Sequence, residues 1–190
     1  MNEKNIIEII HSDGWMMRLL VAVRTLNLPD WYIGAGFVRG KVWDTLHNYS
    51  KRTPTGDIDV IYFDRSDFAD NEAAKESTKR ETEYEKRLDK LVPGVNWSVT
   101  NQARMHLYHH DRPYSSSEDA LGEWVETATC IGVTLDENDH LRLATPRGIS
   151  DLVNLILKPT HSHENELFFQ RIKDKKWLEK WPKLKVAIFP

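Results

Sequence analysis

The spacing of apolar residues along the chain separates predicted helices from predicted strands. Apolar residues three and four positions apart, as at Ile6, Ile9 and Ile10, are typical of a helix that buries one face. This pattern, together with charged and capping residues, predicts helices at 6–10, 19–26, 37–49, 68–91, 118–126, 152–157 and 164–177. Short runs rich in β-branched and aromatic residues predict strands at 31–33, 57–64, 97–100, 130–135 and 140–144, the last two as a hairpin.

The order of these elements predicts the fold class. Strands and helices alternate imperfectly, which favours an α+β fold with a mixed β-sheet and packed helices. The length of 190 residues fits one domain over 1–190, and 40% hydrophobic residues are enough to form its core.

Composition and charge narrow the function classes. With 26 Lys and Arg against 29 Asp and Glu, the net charge is −3, so binding to a nucleic-acid backbone is disfavoured although not excluded. The single cysteine, Cys130, excludes a disulfide framework and a cysteine-based zinc site, and is expected to be a small buried residue. The chain has no apolar stretch of membrane-spanning length, and its first residues are too polar for a signal peptide. We therefore expect a soluble, cytoplasmic protein.

Two aspartates at the start of the strand 57–64 are the sharpest chemical feature. Side chains alternate across a strand, so Asp57 and Asp59 project from one face while Ile58 enters the core. Two neighbouring carboxylates repel each other unless a cation lies between them, and Mg²⁺ prefers such oxygen ligands. The alternative is structural, because a chain rich in aspartate contains such pairs by chance and aspartates often cap turns.

A glycine-rich turn between a strand and a helix is the second feature. Gly34 and Gly36, separated by Ala35, would let backbone N–H groups at the helix start approach a phosphate. Arg39, one turn into the helix, could reach a triphosphate. The alternative is an ordinary turn that needs small residues for close packing.

Together the two features resemble the DNA polymerase beta-like nucleotidyltransferases. Residues 35–39 resemble the G-G-x-V-R element of tRNA nucleotidyltransferases and poly(A) polymerases, with Ala35 in place of the first glycine and Gly40 where an aspartate usually follows. Nearly the whole chain resembles a bacterial nucleotidyltransferase-like family of unknown function. The matching positions are Trp31, 35–37, Arg39, 43–44, 57–64, Trp97, Val99, 101–106, Pro146, Gly148, 151–152, Asn154, Arg171, 176–177 and 181–182.

The resemblance implies the minimal nucleotidyltransferase fold and transfer of an NMP group from an NTP to an unknown acceptor. It implies that Asp57 and Asp59 are catalytic and hold Mg²⁺, and that the nucleotide is bound by Gly34, Gly36, Arg39, Asn101 and Arg104. The tryptophans that fall among the matching positions are expected to be packing anchors. These are Trp31, Trp43, Trp97, Trp177 and Trp181.

Active members of the superfamily usually carry a third carboxylate on a later strand, and this chain departs from that pattern. Asn101 ends the corresponding strand, and an amide is a poor general base. Either Asp44, Asp64 or Asp111 replaces the missing acid, or the chain is a non-catalytic nucleotide-binding or regulatory module. A third interpretation is an interaction protein that uses the charged helix 68–91.

The remaining polar clusters are weaker candidates for a functional site. Two histidine-containing segments, 109–111 and 161–164, are expected to be solvated loops. For His106, a role at the nucleotide or acceptor side and packing against the fold both remain open. The segment 158–185 has eight Lys or Arg residues against four Asp or Glu residues. That excess could favour an RNA or nucleotide acceptor, but its interleaved Trp177, Trp181 and Leu184 favour packing onto the body with the lysines in water.

Overall fold

A computed structural model describes residues 1–67, 71–109, 112–161 and 165–187. Its helices are α1 (Glu3–His11), α2 (Gly14–Arg24), α3 (Gly36–Leu46), α4 (Asn71–Leu91), α5 (His106–His109), α6 (Ser117–Leu121), α7 (Ser150–Val153), α8 (Asn165–Asp174) and α9 (Trp177–Lys180). Its strands are β1 (Tyr32–Gly34), β2 (Ile58–Tyr62), β3 (Trp97–Asn101), β4 (Gly132–Leu135), β5 (Leu141–Ala144), β6 (Ile156–Leu157) and β7 (Lys185–Val186).

Five strands form a mixed sheet in the order β3-β2-β1-β4-β5. Only the β2–β3 pair is parallel, with α4 as the crossover between them, and the other neighbours are antiparallel. Strands β6 and β7 form a separate parallel pair. The mixed sheet and the α+β class agree with the sequence prediction.

The main core lies on one face of this sheet. Ile33, Ile58, Val60 and Val99 project from the strands into a cluster that the apolar faces of the first three helices complete. All five tryptophans predicted to be packing anchors belong to this cluster, and none is more than 8% exposed.

Asp13 holds the segment that leads into β2. Its carboxylate accepts a hydrogen bond from the backbone N–H of Met16 and so caps α2. The same carboxylate forms ion pairs with Lys41 on α3 at 2.8 Å and with Arg52 in the segment before β2 at 2.6 Å.

Helix α4 covers the outer edge of β3 with carboxylates. The N–H of Val99 donates to Glu85 at 3.0 Å, and that of Asn101 donates to Glu81 at 2.6 Å. The second oxygen of Glu81 lies 2.5 Å from Arg104, and both side chains are 9% exposed. Two carboxylates of this charged helix, those of Glu81 and Glu85, therefore bind the backbone of the sheet.

Elements near the C-terminus differ from the prediction. The apolar run predicted as a helix over 152–157 divides into α7 and β6, because Leu155 has a left-handed backbone (φ 60°) that ends the helix. The last predicted helix likewise ends at Asp174, and the left-handed Lys176 (φ 52°) precedes α9. The short helix predicted at 118–126 ends at Leu121.

Glu81→Ala should lower the free energy of unfolding by about 3 kcal/mol, because it leaves the Arg104 guanidinium and the Asn101 N–H buried without this acceptor. Chemical denaturation measures the effect. Glu83→Ala, on the exposed side of the same helix, is the matched control and should change stability by less than about 0.5 kcal/mol. Equal losses in the two variants would contradict the role of Glu81.

Candidate active site

A cavity of about 460 Å³ lies on the sheet face opposite the main core, above β2 and β3. Asp57 stands immediately before β2 and is exposed, whereas Asp59 lies within the strand and is half-buried. Ile58, between them, is 1% exposed and belongs to the main core. The strand alternation therefore brings Asp57 and Asp59 together at the cavity, as the sequence predicts.

The parallel register decides which β3 residues stand beside these carboxylates. Asp59 pairs with Ser98 and Ile61 pairs with Thr100, and all four residues line the cavity. Asn101 pairs instead with Tyr62, whose side chain belongs to the core. Ser98 and Thr100 thus occupy the cavity side of β3, and neither is a carboxylate.

Asn101 is a structural residue in this fold. It is fully buried, and its side-chain oxygen accepts hydrogen bonds from the backbone N–H groups of Asp64 and Ala103, both at 3.1 Å. Its amide nitrogen donates to the Asp64 carbonyl at 3.0 Å. The structure therefore does not bring Asn101 to the predicted nucleotide site, because the strand alternation turns it to the opposite face.

The two aspartates repel each other. Burial and the neighbouring Asp57 charge raise the pKa of Asp59 to about 6, and the charges of Lys175, Arg39 and Arg171 oppose this rise. Within the described residues, neither carboxylate accepts a hydrogen bond or forms an ion pair. The pair is an all-oxygen donor set whose charge is not locally neutralised.

The glycine-rich turn reaches the cavity through Ala35 and Gly36. Ala35 caps α3 with a backbone conformation (φ 44°, ψ −112°) that favours glycine, the residue usual at this position of the motif. A Cβ atom on Gly36 would lie 3.6 Å from Nη2 of Arg39, so the glycine keeps the space beside that guanidinium open.

Gly34 does not line the cavity. A Cβ atom there would lie 3.2 Å from the ring of Trp124 and 3.4 Å from Leu121, so this glycine permits close packing. The expectation that Gly34 brings an N–H group to the nucleotide is not supported by this position, which fits the packing alternative.

Arg39 is buried at the cavity wall between two indole rings. Its guanidinium carbon lies 5.1 Å from the ring centroid of Trp43 and 4.4 Å from that of Trp177. Burial lowers its pKa to about 10, while the charges of Glu126 and the two aspartates act in the opposite direction, so the group stays charged at neutral pH. Its Nε has no hydrogen-bond partner in the part of the chain that the structure describes.

Comparison with known proteins gives the family. Residues 21–186 match the nucleotidyltransferase family. The chain belongs to that family. A solved NMR structure, described as revealing a CCA-adding enzyme head domain, is 34% identical with a TM-score of 0.81, and the alignment covers 99% of this chain and 97% of that one. No curated protein matches the chain.

Two larger solved structures share the fold. A CCA-adding enzyme with CTP is 18% identical, and the Thermotoga maritima CCA-adding enzyme complexed with tRNA is 15% identical, each with a TM-score of 0.56. The matches cover 97% and 98% of this chain but 42% of each of those chains. The family match and the 34% identical structure confirm the resemblance to polymerase beta-like nucleotidyltransferases at the level of family and fold.

In this nucleotidyltransferase-family chain, the C-terminal segment supplies cavity cations, among them a lysine that the sequence analysis placed in water. Arg171 and Lys175 line the cavity near Asp59. Burial opposes the Arg171 charge, but the hydrogen bond and charge of the fully buried Glu126, 2.6 Å away, outweigh it and raise the pKa of Arg171. The sequence signals for this wall were the positive balance of 158–185 and the place of Arg171 among the matching positions.

Two further predicted residues have other partners. Arg104 pairs with Glu81 behind β3 and does not line the cavity. Asp44, one candidate for the third carboxylate, accepts hydrogen bonds from Thr53 and from Nε1 of Trp181. Asp44 therefore joins α3, the segment before β2 and the C-terminal segment.

The remaining acidic and histidine candidates lie in different places. Asp64 accepts hydrogen bonds from Ser66, and Asp111 lies outside the described residues. His161 was expected in a solvated loop but lines the cavity, with its Nε2 2.7 Å from Glu123, which the sequence did not single out. His110 and residues 162–164 also lie outside the described residues.

Residues 1–67, 71–109, 112–161 and 165–187 include no group of three or more His, Cys, Asp or Glu side chains placed to hold a metal ion. Among the described helices, none has the length and apolar character needed to cross a membrane.

Asp59→Asn should stabilise the metal-free protein increasingly as the pH rises. The folded-state pKa of about 6 exceeds the ordinary 3.8, so the wild type loses stability as Asp59 ionises, whereas the side-chain amide of the variant cannot ionise. The variant's advantage in free energy of unfolding should grow by about 2 kcal/mol between pH 4 and pH 8. Guanidinium unfolding in EDTA at both pH values measures it, and a pH-independent difference would contradict the raised pKa.

Proposed function

We propose that this chain transfers an NMP group from an NTP to an acceptor, with Mg²⁺ held by Asp57 and Asp59. The observation that carries the proposal is one cavity lined by two carboxylates without an ion pair and by a buried guanidinium without a hydrogen-bonded acid, all among the described residues. The carboxylates suit a cation, and the guanidinium suits a polyanion. A metal-bound triphosphate satisfies both requirements at once.

The two aspartates fit Mg²⁺ by their chemistry. Their oxygens share one strand face, and burial together with the neighbouring Asp57 charge raises the pKa of Asp59, so a divalent cation would relieve an existing electrostatic cost. Mg²⁺ is commonly held by one or two carboxylates together with substrate phosphates, so two protein ligands are sufficient. When bound, the ion would neutralise phosphate charge and polarise the reacting phosphoryl oxygens.

The nucleotide would lie between the Gly36 turn and the C-terminal segment. Free N–H groups at the start of α3 and the positive helix end favour phosphate oxygens, and Gly36 leaves room for them. Arg39 and Lys175 would offset the remaining phosphate charge. An acceptor oxygen would then form a bond to the α-phosphorus, and the bond to the departing pyrophosphate would break.

A nucleotide-binding module without catalysis is the second candidate. It is favoured by the cavity side of β3, where Ser98 and Thr100 stand beside the aspartates and neither can act as the third carboxylate. Such a module would use the same metal and phosphate contacts but would release no pyrophosphate.

Asp57→Asn should abolish Mg²⁺-dependent NTP binding while leaving the fold intact, because the exposed carboxylate contributes to the metal site and not to the core. Calorimetric titration with ATP, GTP, CTP and UTP, with and without Mg²⁺, measures the binding. Asp64→Asn is the matched control, because its carboxylate contacts Ser66 away from the cavity. Unchanged affinity in the Asp57 variant would rule out the proposed metal site.

Pyrophosphate release separates the two candidates. The wild type is incubated with Mg²⁺, the best-bound NTP and a panel of acceptors that includes sugars, nucleosides, a peptide and short RNAs with a free 3′ hydroxyl. Release that depends on one acceptor and on Asp57 supports the transferase. Tight binding without release across the panel supports the module.

A further inference from the structure

Arg39 differs in its partners from the buried Arg104 and from the partly exposed Arg171. Arg104 is paired with Glu81, and Arg171 forms two hydrogen bonds with Glu126. Arg39 is only 8% exposed, yet within the described residues it forms no ion pair, and its Nε has no partner. A buried charge without a paired acid is costly and therefore needs another source of stabilisation.

Two indole rings provide that stabilisation. Trp43 lies one turn after Arg39 on α3, whereas Trp177 comes from α9 at the far end of the sequence. Trp177 is the nearer ring, at 4.4 Å, and is 2% exposed. An indole attracts a guanidinium through the π-face but accepts none of its N–H hydrogen bonds, so the donors stay available.

We propose that Trp177 is a positioning residue that holds the Arg39 guanidinium, with its charge and donors free, for the polyphosphate of the substrate. A carboxylate at this place would neutralise the charge and occupy the donors. The proposal rests on the proposed function, since a polyphosphate is the anion that this cavity would receive.

The C-terminal segment is attached independently of the Trp177 ring. Trp181 donates from Nε1 to Asp44 at 2.8 Å, the Tyr49 hydroxyl donates to the Lys180 carbonyl at 3.0 Å, and the Lys183 N–H donates to His47 at 3.0 Å. Removing the Trp177 ring therefore leaves these attachments in place. A substitution at Trp177 therefore tests how the Arg39 guanidinium is positioned, and not only whether the C-terminal segment stays attached.

The test measures binding of inorganic tripolyphosphate in the presence of Mg²⁺ by calorimetry, because this probe has no base or ribose. Trp177→Leu should weaken binding about tenfold, and Trp177→Phe, which keeps an aromatic face, by less than about threefold. Arg39→Met should weaken it by at least as much as Trp177→Leu, and the double variant no further than Arg39→Met alone. Trp181→Phe, which removes the hydrogen bond to Asp44 but not a ring on Arg39, should leave the affinity unchanged.

Two results would overturn the positioning role. One is Trp177→Leu binding tripolyphosphate like the wild type while Arg39→Met does not. The other is equal weakening by the Trp177→Leu and Trp181→Phe variants, which would indicate a structural effect. Failure of the proposed function is distinguishable, because the wild type would then bind no NTP while the dependence of tripolyphosphate binding on Trp177 could still be measured and would still support the positioning role.

Discussion

The parallel pairing of β2 with β3 is the constraint on which the site depends. Ile58 and Val60 must enter the core, so Asp57 and Asp59 emerge on the opposite face. The register then places Ser98 and Thr100 beside them and turns Asn101 away. A shift by one residue would exchange the two faces and bury the carboxylates, so the core holds the acidic pair at the cavity.

Some charged side chains around the sheet form ion pairs that stabilise the fold, whereas others line the cavity without an ion-pair partner among the described residues. Glu81 with Arg104 and Glu126 with Arg171 are closed pairs. Within the described residues, the two cavity aspartates and Arg39 form no ion pair, and their opposite charges line one cavity. A ligand carrying a cation and a polyanion would offset both charges.

Features set by local sequence were predicted well. The alternation in β2 identified the acidic pair, and the small residues before α3 identified the turn that reaches the cavity through Ala35 and Gly36. The side assigned to Asn101 was wrong. Asn101 lies two positions after Val99, so the alternation of β3 turns it to the core face, and its pairing with Tyr62 agrees. Arg104 has Glu81 as its partner, 23 positions away, which no local pattern indicates.

The C-terminal segment was the least predictable part for the same physical reason. Its strand β7 exists only because it pairs with β6, and its basic residues contact the cavity only after the segment returns to α3. Periodicity over a short window cannot report such contacts. The matching tryptophans indicated that the segment packs, but not that Trp177 packs on a guanidinium.

The carboxylates that α4 places along β3 also affect how the molecules behave toward one another. An outermost strand offers unpaired N–H groups to which a second chain can add as a further strand. Here the N–H groups of Val99 and Asn101 already donate to glutamates of the same chain. An incoming strand would have to displace two acidic side chains, and the buried Glu81 would then lose its contact with the Asn101 N–H. Helix α4 therefore protects β3, the strand that adjoins the site, against edge-to-edge aggregation.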